Sequence, residues 1–206
     1  MWAIVTDNTI TKIINKPRGM IIDNIQYSRN IFSLWSVSEK EAKGIYEVVF
    51  NNTNKKDEAY YINTNQSFAF AGGKITASYG SSTAKAHADT LFTAQDEIDG
   101  KGTEGEVATT GLKTNLIKNL KINVANELAR TDWYITRNTE KSTAIPSAIT
   151  THRDLVRTRQ ATMETQITNA SDTPALETLY AYVNTADEGD PVVMERPLGE
   201  LPTLDS

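Results

Sequence analysis

Short apolar runs separated by turn residues fill the first 80 residues and predict a β-rich domain. Residues 2–5 and 10–14 are β-branched runs, and the Asp7-Asn8 pair between them suits a tight hairpin turn because both residues tolerate a positive φ. Asp23-Asn24 separates two shorter apolar pieces in the same way. The pattern therefore predicts one hairpin at the start of the chain and a second, smaller one after it.

The stretch "SRNIFSLWSVSEKEAKG" predicts one short helix between Ser36 and Lys43. Ser38 and Glu41 have the spacing of a capping box, in which each side chain satisfies a free backbone amide of the other residue. Gly44 stands where a left-handed residue would end the helix. Beyond it the runs "IYEVVF", "EAYYIN", "SFAFA" and "KITASY" are rich in aromatic and β-branched residues and predict a meander of three or four strands.

The character of the sequence changes at residue 81. Residues 81–111 hold four of the eleven glycines and have little periodicity after Ile98. Such a composition is typical of a connector and not of a packed element. We therefore predict a domain boundary in this segment.

Leucine-rich periodicity after residue 111 predicts helices. An apolar residue recurs every fourth position and indicates a helix of about five turns. The stripe consists of Leu112, Leu116, Leu120, Val124 and Leu128, with Ile117 alongside. A second helix is predicted to start at Pro146, a residue favoured at the first helical position, with Ile149, His152, Val156, Arg159, Met163 and Ile167 along one face. A third is predicted to start at Thr173, as a cap, and Pro174. These helices predict a helical hairpin or a three-helix bundle.

The last 22 residues contain three of the six prolines and show no period. Their apolar residues, which include Val193, Met194 and Leu198, are unusual for a solvated tail, so the sequence predicts an extended acidic arm that orders on a partner. The expected fold class is thus α+β. Its parts are a β-rich domain over 1–80, a linker over 81–111, a helical domain over 112–184 and the arm over 185–206.

Composition and charge exclude several classes of function. The 206 residues include no cysteine and two histidines, which removes disulfides, thiolate metal sites and cysteine nucleophiles. The net charge is −5, and residues 185–206 hold one Arg against six acids, while no segment is strongly basic. No apolar run approaches the roughly 20 residues that span a bilayer, and the first residues do not resemble a signal peptide. We expect a protein made in the cytoplasm that binds neither nucleic acid nor membrane.

Fragments that suggest chemistry are better explained as ordinary structure. "GKGT" at residues 100–103 lacks the earlier Gly and the following Ser or Thr of a phosphate loop. "DEIDG" and "DEGD" lack the alternating ligand spacing of a calcium loop, and we interpret them as solvated turns. His152 has no nucleophile or orienting carboxylate in a recognisable motif, so we predict a packed or hydrogen-bonded histidine. No cofactor and no metal site is expected.

A glycan-directed function is the alternative from another class. Two carboxylates around a cleft could hydrolyse a glycan, and the candidates are Asp57, Glu58 and Glu47. Aromatic residues on adjacent strands could instead form a binding platform, although such residues are more often cross-strand pairs over a core; they are Tyr60, Tyr61, Phe68, Phe70 and Tyr79.

Two parts of the sequence resemble bacteriophage tail proteins. "LARTDW", a loop, "IPSAI" and "HRDLVR" resemble the C-terminal helical segment of tail-fibre assembly and tail assembly chaperone proteins over about residues 112–170. The matching positions are Leu128, Thr131, Asp132, Trp133, Arg153, Leu155 and Arg157, and His152 departs from the aromatic residue usual before the first arginine. In the N-terminal half, "RNIFSLWS" and "GIYEVVF" are similar to tail proteins of marine and cyanobacterial phages.

The resemblance implies a non-enzymatic tail protein that binds other tail proteins and could form a homo-oligomer. It would be located in the virion, as a fibre or baseplate component, after synthesis in the host cytoplasm. A tail-fibre assembly chaperone that leaves the particle is the alternative. We predict Trp133 as a plug between two antiparallel helices. The arginines that follow His152, which are Arg153, Arg157 and Arg159, are predicted to form a small basic patch. The candidate interaction residues are Trp35, Trp133, Arg153, Arg157, Val193, Met194 and Leu198.

Overall fold

The computed structural model describes residues 1–64 and 66–204 and confirms the α+β class, with 36% helix and 24% strand. The chain divides into two units, Met1–Thr83 and the part from Ala84 onward. The elements described in the first unit are short helices and strands: β1 Trp2–Thr6, β2 Thr9–Ile14, β3 Met20–Ile22, β4 Ile25–Tyr27, α1 Ile31–Leu34, α2 Val37–Glu41, β5 Ile45–Asn51, β6 Tyr61–Asn63, β7 Ser67–Ala71 and β8 Lys74–Ser78. Strand β9, Ser82–Ala84, falls at the division and pairs with β6.

Both predicted hairpin turns are confirmed. Asp7 and Asn8 have φ of 49° and 60° between β1 and β2, and Asp23 and Asn24 have φ of 49° and 62° between β3 and β4. Asp and Asn tolerate the left-handed region because their short polar side chains can hydrogen-bond locally. The local sequence is therefore enough to place these turns.

The main sheet is not the meander that the sequence predicts. Its strand order is β2-β1-β5-β8-β7, and β5 and β8 run parallel, with Val48 opposite Ile75. Parallel strands require a crossover connection, and the segment between β5 and β8 supplies it, while β6 leaves the sheet to pair with β9. Periodicity identifies these strands, but it carries no information about which strands become neighbours.

Both faces of the sheet are covered within the first unit. Ala3 belongs to one buried cluster together with Val48, Ile75 and Ala77. Its neighbours on β1, Trp2 and Ile4, pack against a second cluster formed by Ile14, Ile31, Phe32 and Ile45. Alternation along β1 thus sends successive side chains into two different cores.

The short helices differ from the prediction in number and in cap. A helical turn, α1, precedes α2, and the capping box of α2 joins Ser36 and Glu39, not Ser38 and Glu41. The Ser36 amide donates to Glu39 Oε2 over 2.7 Å, and the Glu39 amide donates to Ser36 Oγ over 3.2 Å. Both pairs fit the same spacing, so the sequence could not choose between them. Gly44 is left-handed, as predicted, with a φ of 71°.

Residues 81–111 are more structured than the predicted linker. They contain β10 Thr90–Leu91, α3 Ala94–Ile98 and β11 Val107–Thr109, and β10 pairs with β11. A capping box between Thr93 and Asp96 starts α3. These elements are too short to leave a periodic signal, which explains why composition indicated a connector.

The second unit has four long helical segments instead of the expected two or three. They are α4 Leu112–Ala129, α5 Asp132–Lys141, α6 Ser147–Asn169 and α7 Thr173–Tyr180, followed by β12 Val183–Asn184 and β13 Met194–Glu195. Helix α4 matches its prediction, whereas α5 was not expected. Pro146 lies at the cap of α6 and not at its first helical position, and Asp172, not Thr173, caps α7.

Gly44→Ala should destabilise the first unit by about 3 kcal/mol, because the residue is left-handed and its new Cβ would lie 2.6 Å from the Val5 carbonyl oxygen. Gly72→Ala is the matched control, since Gly72 has a φ of 57° but nothing within 4 Å of an added Cβ. The control should cost about 1 kcal/mol.

Denaturant unfolding followed by tryptophan fluorescence measures both variants. In a Trp133→Phe background the remaining tryptophans, Trp2 and Trp35, both belong to the first unit. Equal losses for the two variants would show that the close approach to Val5 has no energetic effect.

Candidate interaction surfaces

A buried arginine closes the corner between α4 and α5. Arg153, on α6, is 8% exposed. Its Nη1 donates to the Leu128 carbonyl over 2.8 Å, to Thr131 Oγ1 over 2.7 Å and to Asp132 Oδ1 over 2.8 Å. Buried cations need such partners because an unpaired charge in the interior is very costly. The guanidinium also lies at the carbonyl end of α4, where the helix dipole favours positive charge.

This geometry corrects the predicted basic patch. Arg153 is used inside the fold, and Arg159 is half-buried and donates to the Leu198 and Glu200 carbonyls. Arg157 is exposed, with its Nη1 3.5 Å from Asp154 Oδ1. The residues of the "TDW" and "HRD" motifs that meet here are Thr131, Asp132 and Arg153. Their role in this chain is to set the angle at which one helix follows another.

His152 lies beside Arg153 and joins α6 to α4. It is 5% exposed, and its Nε2 is 3.1 Å from Glu127 Oε1. The prediction of a packed, hydrogen-bonded histidine is confirmed. Burial raises the pKa of Glu127, but hydrogen bonds and charges from Arg130 and His152 outweigh it, so the net effect lowers this pKa from its usual 4.5. The carboxylate is therefore held in its charged form between two cationic or polar partners.

Trp133 is not the predicted plug between helices. Its side chain is 51% exposed in the first turn of α5. The ring lies 3.8 Å from the Tyr134 ring between centroids, and the Arg137 guanidinium lies 5.9 Å from its centroid. Because Thr131, Asp132 and Arg153 fill the corner, no space remains there for an indole. The chain turns directly into α5, and Trp133 lies on the outer side of the corner.

The C-terminal arm also differs from its prediction. Strands β12 and β13 pair, and the segment that follows folds back on the helices of its own unit. Leu198 is 1% exposed, its amide donates to the Leu179 carbonyl over 2.9 Å, and its carbonyl accepts from Arg159 Nη2 over 2.7 Å. Leu198 is thus a core residue of this chain. Val193 and Met194 remain 47% and 52% exposed on the hairpin.

Gly199 allows the segment after β13 to fold back on the helices. Gly199 has a φ of 72°, and a Cβ at this position would overlap the Arg159 guanidinium. The Arg196 guanidinium lies near the rings of both Tyr180 and Tyr182, at 5.6 Å and 5.8 Å. Between this segment and the β12–β13 hairpin is an open groove of about 540 Å³.

Trp35 contributes to the first unit's own core. It is half-buried and makes an edge contact with Tyr27, with ring centroids 5.0 Å apart. It packs against the cluster that contains Phe32 and Ile45. If Trp35 binds a partner, only the solvent-exposed part of its ring is accessible for that contact.

The residues that suggested chemistry have local partners. Asp57 Oδ1 accepts from the Ala59 amide over 2.8 Å, and Glu58 pairs with Lys55 at 3.0 Å. Lys101, in the "GKGT" fragment, pairs with Asp96 and Asp99. Tyr60 and Tyr61 are buried, and Phe68 and Phe70 pack on the sheet core, so these four aromatics favour the core interpretation.

Within residues 1–64 and 66–204, no cluster of three or more histidines and acids could hold a metal ion. Among the helices that the structure describes, none has the length and apolar character needed to span a bilayer. Comparisons with protein-family models, curated proteins and solved structures find no match to this chain.

One surface was not anticipated from the sequence. Ile122 lies off the leucine stripe of α4, and together with Ile117, at the edge of that stripe, it lines a shallow groove of about 510 Å³. The sequence contains a signal for this surface, because Ile122 is two positions from both Leu120 and Val124 and therefore lies nearly half a turn from them on the helix.

Arg153→Met should destabilise the helical unit by about 2 to 3 kcal/mol, because it removes the cation that three acceptors share while it keeps most of the side-chain volume. Arg157→Met is the control and should change stability by less than about 0.5 kcal/mol, since its ion pair is exposed. Thermal unfolding followed by helical circular dichroism measures both. A similar small effect for the two variants would contradict the assigned role of Arg153.

Proposed function

We propose that the chain is a non-enzymatic structural or adaptor protein of a bacteriophage tail. In this proposal it is a virion component near the fibres or baseplate and binds other tail proteins. The resemblance of "LARTDW" and "HRDLVR" to tail assembly proteins supports a phage tail as the place where the chain acts. The structure supports the motif as a unit, because Arg153 contacts Thr131 and Asp132, from which it is separated by 22 and 21 residues in sequence.

The exposed indole of Trp133 is the observation that carries the proposal. Burial of a tryptophan side chain lowers the free energy, and Trp133 is 51% exposed beside a corner that the hydrogen bonds of Arg153 hold together. Tryptophan, tyrosine and arginine are the residues that most often dominate protein interfaces, and Trp133, Tyr134 and Arg137 form such a group. A rigid, exposed aromatic group reduces the entropy lost on binding.

Quantitative mass spectrometry of purified phage particles tests the location. We expect this protein in a fixed stoichiometric ratio to known tail proteins in particles of the phage that encodes it. Its absence from particles, combined with misfolded fibres when the gene is deleted, would instead identify an assembly chaperone. Its absence with normal fibres would overturn the tail proposal.

Trp133→Ala should separate binding from folding. Because the ring is half exposed, the free energy of unfolding should fall by less than about 1 kcal/mol, compared with about 3 to 5 kcal/mol for a buried tryptophan. We expect at least a tenfold reduction of the protein in purified particles. Ile98→Ala, which truncates a 78% exposed side chain on α3, is the control and should be incorporated normally. Normal incorporation of Trp133→Ala would exclude this residue as an anchor.

A further inference from the structure

The outer face of α4 carries a groove with apolar and basic lining. Its residues are Thr114, Ile117, Lys118, Lys121, Ile122 and Ala125. The Ile122 side chain is 49% exposed, although isoleucine is among the residues most often buried.

This groove faces away from the segment that folds back. Leu116, Asn119, Leu120 and Asn123 line the side of α4 near Leu198 and Leu201. At 100° per residue, these positions and the groove positions lie roughly half a turn apart on the helix. The groove and the fold-back segment are therefore on opposite sides of α4.

The groove is basic. Residues 112–126 contain three lysines and no acid. Two of these lysines, Lys118 and Lys121, line the groove, and Lys121 lies 3.8 Å from Glu164. Lys113 lies outside the groove and donates to the Thr168 carbonyl over 2.7 Å. Lys118 is exposed and has no hydrogen bond or ion pair to any described residue. This side of α4 thus presents positive charge next to exposed isoleucine.

The β12–β13 hairpin has the complementary character. Its exposed apolar residues are Tyr182 at 55%, Val183 at 47%, Val192 at 71%, Val193 at 47% and Met194 at 52%. Its connecting turn carries three acids: Asp187, Glu188 and Asp190. The Thr185 amide donates to the Val193 carbonyl over 2.8 Å and keeps the two arms together. The hairpin therefore presents apolar side chains that lead to an acidic tip.

We propose that copies of this chain associate head to tail, with the β12–β13 hairpin of one copy in the α4 groove of the next. Apolar side chains of the hairpin would cover Ile117 and Ile122, while the acidic tip would lie near Lys118 and Lys121. Two different patches of one chain make a heterologous contact, which produces a ring where the rotation closes and a filament where it does not. The contact involves no other protein, so its test is independent of the proposed function.

A contact between one hairpin and one helix face should be weak. Interfaces below about 1,000 Å² are typical of transient association. Charge attraction across it should decrease as salt screens it, since the Debye length falls from about 10 Å at 0.1 M to about 3 Å at 1 M salt. We therefore expect self-association that increases with protein concentration and weakens as salt is added.

Analytical ultracentrifugation of the full chain at low salt tests the proposal. We expect the mean mass to rise with concentration, and we expect Lys118→Glu combined with Lys121→Glu to weaken association at least tenfold. Asp187→Lys combined with Glu188→Lys should weaken it equally. A mixture of these two charge-reversed proteins should associate again, because each groove then meets a hairpin of opposite charge.

Lys12→Glu combined with Lys16→Glu is the matched control, because it makes the same change in net charge on exposed residues of the first unit. This variant should associate like the unmodified chain. Circular dichroism confirms that each protein is folded. A monomeric mass at all concentrations, or association that the charge reversals on α4 leave unchanged, would overturn the proposal. Failure of the mixture to associate would exclude the hairpin as the partner of the groove.

Discussion

The position of Arg153 inside the second unit is the constraint on which the helical arrangement depends. A buried guanidinium needs acceptors on several sides, and the chain supplies the Leu128 carbonyl of α4, the Thr131 hydroxyl and the Asp132 carboxylate. These acceptors lie on two different helices and the residue between them. The end of α4, the start of α5 and the register of α6 must therefore all be correct for the charge to be satisfied.

The neighbouring contact of His152 with Glu127 strengthens this arrangement. His152 immediately precedes Arg153 on α6, and its partner Glu127 lies in the last turn of α4. Two adjacent residues of α6 thus bind two points on the end of α4, and α6 can neither slide nor rotate without losing both. The apolar residues Leu120, Val124, Val156 and Met163 supply the buried area of the unit, and the polar pair selects one register among those that would bury similar area.

The features that the sequence predicts well are local, and those it predicts poorly depend on distant residues. The Asp7-Asn8 turn, the left-handed Gly44 and the α4 stripe follow from a few adjacent positions. The parallel pairing of β5 with β8 and the burial of Leu198 depend on segments that meet only in the folded chain. The position of Trp133 also depends on distant residues. Its hydrophobicity predicts that it fills the corner between α4 and α5. A polar network fills it instead, and no periodicity of apolar residues can reveal such a network.

The packing of the C-terminal segment also depends on which charged and apolar side chains can be buried. Its acids prevent it from forming a core of its own, so the prediction assigned its order to a partner. The α6 residue Arg159 and the Leu179 carbonyl of α7 provide that surface within the chain, and Leu198 enters the core between them. Burial of this leucine leaves the acidic hairpin held in place and exposed. The lysine-lined groove is exposed on the opposite side of α4, so the helical unit carries surfaces of opposite charge in fixed positions.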